Sequence, residues 1–216
     1  MNYIKRTDTM DIYIEPKRKT IVVRQRWKYN WLNDRNTSPW TYMERRDWHN
    51  KADSIIWNQW GNKFIMLAVV LEPTDANKYL HRMEFNLEFD IQWVTSNEHW
   101  TVNVTKVKPG KKLMSGTKLN KITNENTIYL EYNDLKLKYT DLGNHQTTLK
   151  HEFGHTIYVD DEYGEDYGQD FDGPYVEDRH ALMNLGNELR ARYIYDLKNI
   201  INDQFISGVQ FTSILK

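Results

Sequence analysis

Between Leu149 and Tyr163 the chain reads LKHEFGHTIYVDDEY, and three of these residues have the types and spacing of a hydrolytic metal centre. His151 and His155 are four apart, so on an α-helix they lie one turn above each other and can point two imidazoles at one ion. Glu152 follows the first histidine and projects beside the pair. In metal hydrolases of this type the ion lowers the pKa of a bound water toward ~7, and a nearby carboxylate takes its proton as it attacks a polarised carbonyl. The chain has no cysteine, which excludes disulfides and thiolate-bound metal, so any metal ligands are His, Asp or Glu. Zinc (Zn2+) is the expected ion. The plain alternative is an exposed histidine-rich turn that binds nothing. Leu149, Phe153 and Ile157 count against it, because their intervals of four give the segment one apolar helical face.

The rest of the chain must position that helix. Its 216 residues suit one domain with a sizeable core, so residues 1–216 are read as a single unit, with a sheet and helix over about 1–140 and metal-site helices over about 144–203. Ile21, Val23, Trp27, Tyr29 and Trp31 alternate with polar residues, the period of a strand with one buried face. Met83 to Trp93 repeats the alternation, and KFIMLAVVLEP, HWTVNVTKV and NTIYLEYNDLKLKY supply further strands. Short links between them predict a meandering, mostly antiparallel sheet. A long helix is predicted from Ser38 as N-cap and Pro39 as first residue to Gly61. The metal-site helix begins near Asn144, and NELRARYIYDLKNIIND reads as a C-terminal amphipathic helix. The fold class is therefore α+β. The eight tryptophans are expected in the core between sheet and long helix.

A net charge of −1 gives no global reason to propose nucleic acid or an anionic membrane as partner. The longest apolar run, FIMLAVVL, is far too short to cross a bilayer, and the first residues contain no signal-peptide core. Synthesis in the cytoplasm without a signal peptide and no stable membrane insertion are expected. The basic turn from Lys106 to Lys121 reads as a solvated hairpin tip, and the acidic stretch after Val159, including DFDG at Asp170 to Gly173, as a solvated loop rather than a calcium site.

HEFGHTIYVDDEY resembles the active-site stretch of zincin metallopeptidases, and in particular of the metallopeptidase toxin domains fused to type VI secretion spike proteins. The resemblance is strongest from about Leu149 onward. It implies a single zincin-like domain, a protein or peptide substrate, use against a rival bacterium after delivery by a contractile secretion system, and partners that include an immunity protein and a delivery spike. It also offers two third ligands. Asp161 stands where the metzincin pattern HExxHxxGxxH/D has its last residue, and Ala181–Met183 is similar to that clan's methionine turn. Against Asp161, the pattern's glycine is here Tyr158, which is strained if the turn needs a positive φ. Glu188 is the preferred third ligand, since gluzincins take a glutamate from a later helix, with Glu162 and His180 behind it. His180, Tyr158, Tyr163, Tyr175 and Tyr193 are the candidates to stabilise an oxyanion. A zinc amidase acting on cell wall and a non-catalytic module fastened by zinc are the competing expectations; Glu152, which a purely structural site does not need, favours an enzyme.

Overall fold

The computed structural model describes residues 2–119, 126–140, 143–164, 173–203 and 205–216. It is built on a fourteen-residue strand, β3 (Thr20–Asn33), whose odd-numbered residues from Ile21 to Tyr29 are buried, as the alternation predicts. Along one side β3 pairs in parallel with β5 (Glu84–Trp93) through Thr20 to Trp27. Its other side pairs antiparallel with β2 (Asp11–Glu15) and then in parallel with β6 (Trp100–Lys106). β1 (Tyr3–Arg6) pairs with β2. The main sheet is completed by β4 (Phe64–Val70), β7 (Gly116–Lys118), β8 (Thr127–Glu131) and β11 (Val209–Leu215), in the order β11-β4-β5-β3-β6-β8-β7. A separate hairpin joins β9 (Leu137–Tyr139) to β10 (His145–Thr147).

The α+β class holds, and most strand pairs are antiparallel, but the centre of the sheet is not a meander: β5, β3, β6 and β8 run in parallel. The short link after Trp93 misleads because it joins strands that are not neighbours. It crosses the end of β3, where Val94 N–H donates to Trp27 O and His99 N–H to Arg26 O. NTIYLEYNDLKLKY is likewise two strands, β8 and β9, separated by a 3-10 turn at Tyr132–Leu135.

Helix α1 (Tyr42–Trp60) lies against β5, burying Trp48, Ala52, Ile56 and Trp60 at intervals of four. It starts three residues later than Ser38 and Pro39 suggest. Thr41 is the N-cap, and it exchanges bonds with Glu44 in a complete capping box, satisfying two backbone N–H groups that would otherwise lack partners. The indole of Trp60 stands 6.3 Å from Phe89 of β5 and 5.7 Å from Phe153. That aromatic cluster joins α1, the sheet and the histidine helix α2 (Thr148–Thr156) in one core. Of the other tryptophans, Trp27, Trp40, Trp48 and Trp100 are buried, Trp31 and Trp93 are partly so, and Trp57 is exposed, contrary to expectation. α3 (Tyr195–Asn202) follows a 3-10 turn at Ala191–Ile194, so the predicted C-terminal helix is helical only in its second half.

Candidate metal centre

α2 is anchored at both ends, to the sheet through Gln25 and to α1 through Trp60. Gln25 of β3, buried, donates to Thr156 Oγ1 (2.9 Å) and accepts from Trp27 Nε1 (2.9 Å), while Trp60 Nε1 donates to the Lys150 carbonyl (3.2 Å). Thr147, not Asn144, occupies the N-cap position. Between the histidines, Gly154 faces the buried Met183, and a Cβ built there falls 2.3 Å from Met183 Sδ. Glycine is therefore required for the turn around Met183 to press against the helix.

That turn also orients the first histidine. His151 Nδ1 donates to the Leu182 carbonyl (3.0 Å), and His155 Nδ1 to the Val159 carbonyl (2.7 Å). With both Nδ1 protons committed to carbonyls, each neutral ring presents a lone pair at Nε2. The two Nε2 atoms are 3.2 Å apart, and Asp161 Oδ1 lies 2.9 Å from one and 3.3 Å from the other. Oδ1 is buried and makes no hydrogen bond of adequate geometry. Three lone pairs facing each other at such distances repel unless a cation lies among them. Ligands ~2.0–2.1 Å from a tetrahedral zinc stand roughly 3.3–3.4 Å apart, so the donor set fits that ion. When a proton rather than a metal ion sits between these groups, burial pushes the Asp161 carboxyl up, yet the protonated imidazoles outweigh it and hold the group well below the usual range. Burial similarly opposes charge on His155, but Asp161 raises its pKa overall.

The local backbone explains how Asp161 arrives there. Val159 N–H donates to the Gly154 carbonyl and Tyr158 N–H to the His155 carbonyl, which is a Schellman ending with Tyr158 in the left-handed position at φ 71. The turn does need the positive φ that glycine would supply, and a tyrosine supplies it at a cost of about 1–2 kcal/mol. Its hydroxyl bonds Thr9 Oγ1 (2.6 Å) and its ring packs against the core, which holds the strained turn in place. The next residue but three, Glu162, is a latch rather than a donor: its N–H reaches the Met183 carbonyl, and its buried carboxylate accepts two bonds from Arg192 (2.6 and 2.8 Å) and one from Tyr193 (3.0 Å).

Glu188, the preferred third ligand on sequence grounds, is not brought to the histidines. It precedes the helical segment, in an isolated bridge with Ala181, and its exposed carboxylate pairs with Arg190 (2.9 Å). Asn187 and Glu188 donate their N–H groups to the His180 carbonyl, a tight return that keeps the chain out of helix. The His180 ring is outside the donor cluster: among the described residues, the cluster whose ligand atoms lie within 4.8 Å of one another is His151, His155 and Asp161.

Glu152 is 5% exposed; burial raises its pKa, and the two histidines oppose the rise. Thr117 of β7 donates to its Oε2 (2.8 Å). The donors and Glu152 line a cleft of about 930 Å³ together with β7, Tyr158–Asp161, Tyr163 and one face of α3. Thr117 was invisible in sequence, because it sits inside the basic segment read as a hairpin tip; part of that tip is instead the edge strand of the sheet. Of the tyrosines considered, Tyr158 and Tyr163 line the cleft, and Tyr163 stacks at 16° to the His151 ring. Tyr193 is committed to Glu162 and the Met183 N–H, and Tyr175 covers Arg192. Most of DFDG, residues 170–172, lies outside the described residues.

No protein-family model matches the chain, and no curated protein matches its sequence. The functional reading therefore stands on the site.

Proposed function

We propose that the chain is a zinc-dependent metallopeptidase in which His151, His155 and Asp161 hold the metal and Glu152 is the general base. The observation that carries this reading is the convergence of two correctly oriented Nε2 atoms and an orphaned Asp161 Oδ1 beside a buried glutamate that is not one of the three donors. Zinc, when bound, supplies Lewis acidity, lowering the pKa of water toward ~7 and polarising the scissile carbonyl. Glu152 takes the proton of the attacking water and returns it to the leaving nitrogen. Burial raises its proton affinity and so suits it to keeping that proton between the two events, and Thr117 fixes the carboxylate. β7 is the last strand of the sheet beside the cleft and among the described residues pairs only with β8, so an extended peptide can add along its other edge. A metal that only fastens a fold is enclosed by protein, whereas these donors border a cleft with room for substrate, which favours an enzyme over a structural module. A role as an antibacterial effector is proposed on the sequence resemblance alone.

Metal analysis of the purified protein after zinc addition is expected to find about one zinc per chain. Glu152→Gln is expected to keep that zinc and lower peptide-bond cleavage roughly 100- to 10,000-fold. Absence of zinc, or full activity in Glu152→Gln, refutes the proposal.

A further inference from the structure

We propose that the cleft selects a lysine or arginine side chain beside the scissile bond, through Asp160 and Asp196 in its lining. This rests on the peptidase reading and adds a substrate class to it. Asp160 lies in the turn that delivers Asp161, and Asp196 in the first turn of α3; both are exposed and line the cleft. Neither has an ion-pair partner among the described residues, unlike Asp178 and Glu188 nearby, which are matched by Arg190 and Arg192. No lysine or arginine is among the cleft's described lining residues. Two positive charges on a metal are balanced by Asp161 and Glu152, so the two further acids leave the described lining net negative. The same lining includes partly buried apolar groups: Val159, next to Asp160 in the chain, Ile200, one helical turn after Asp196, and Leu119. Lysine and arginine have that same division, an apolar stem beneath a charged head that stays in water. An acidic residue of substrate beside them meets repulsion, and Lys5, which reaches the Ile200 carbonyl, is itself engaged by Asp203.

Two measurements test this. A library of proteome-derived peptides is digested with the zinc-loaded protein and the new termini are sequenced. Lysine or arginine is expected to be enriched by about fivefold or more within two residues of the cut, and the enrichment to fall below about twofold in Asp160→Asn/Asp196→Asn. Cuts without this enrichment, or enrichment unchanged in the double variant, overturn the proposal. Separately, fluorescence anisotropy compares binding of a lysine-containing and an otherwise identical glutamate-containing peptide to Glu152→Gln protein. The lysine peptide is expected to bind about tenfold tighter at low salt, with the difference lost at about 0.5 M salt and in the double variant. Equal binding overturns the cationic preference whatever the catalytic result. Discrimination in binding without any cleavage retains the acidic lining and removes the peptidase reading, so the two failures are told apart.

Discussion

Each residue of the candidate centre is held by a bond that leaves its reactive atom free. The Leu182 and Val159 carbonyls fix the histidine tautomers, Thr117 orients Glu152, and Glu162 fastens the backbone next to Asp161. From this geometry, Asp161→Asn is expected to weaken zinc binding at least about tenfold, whereas Glu188→Gln, which removes only an exposed partner of Arg190, leaves it unchanged within error. Zinc titration with a competing chelator reads both, and the reverse order of effects would reinstate Glu188. Gly154→Ala drives a methyl group into Met183 and is expected to destabilise the fold by about 1–3 kcal/mol, read as a lowered urea midpoint. An unchanged midpoint would show that Met183 moves aside freely.

At the scale of elements, the centre depends on the turn after α2 more than on α2 itself. Asp161 follows a left-handed tyrosine, and the chain beyond it is tied down where Glu162 meets Arg192, Tyr193 and the Met183 carbonyl. Arg192→Met leaves the Glu162 carboxylate buried without its cation, a change expected to cost about 3–5 kcal/mol and to weaken zinc binding although Arg192 touches none of the three donors. Chemical denaturation together with zinc titration checks this; a loss of stability with zinc affinity intact would show that the latch and the donor turn are independent. β7 plays the corresponding part for Glu152, a three-residue strand that brings Thr117 over the helix.

The whole molecule carries further buried ionisable groups away from the centre, among them Asp11, Glu131, Asp134 and His99. His99 is 4% exposed, accepts from the Arg26 N–H at Nδ1, and faces Asp11, which pairs with the Arg26 guanidinium. Burial, reinforced by the Arg26 charge, lowers its pKa to about 4 against the attraction of Asp11. The unfolded chain therefore binds this proton more readily than the folded one between about pH 6.5 and 4. Its contribution to stability is complete above that window and is lost as pH falls through it, by up to about 1.4 kcal/mol per unit. Denaturation between those limits is expected to show a steeper pH dependence in the wild type than in His99→Gln; equal slopes would assign the acid sensitivity elsewhere. No described helix is long and apolar enough to cross a membrane.

Local periodicity by itself determined the histidine helix, the buried face of β3 and β5, and the placing of His151, His155 and Glu152 on one turn of α2, because those properties depend only on residues a few positions apart. The sequence also named Asp161 and stated the objection to it, a tyrosine where a positive φ is needed. Only the tertiary structure decided that point, since whether a strained turn survives depends on what holds it: here Thr9, far away in the chain, and the core beneath Tyr158. The same limit applies to Glu188, whose spacing suits a helix but whose backbone is captured by the His180 carbonyl. It applies again to the parallel centre of the sheet and to Thr117, because alternation tells which face of a strand is buried and is silent on which strand lies beside it.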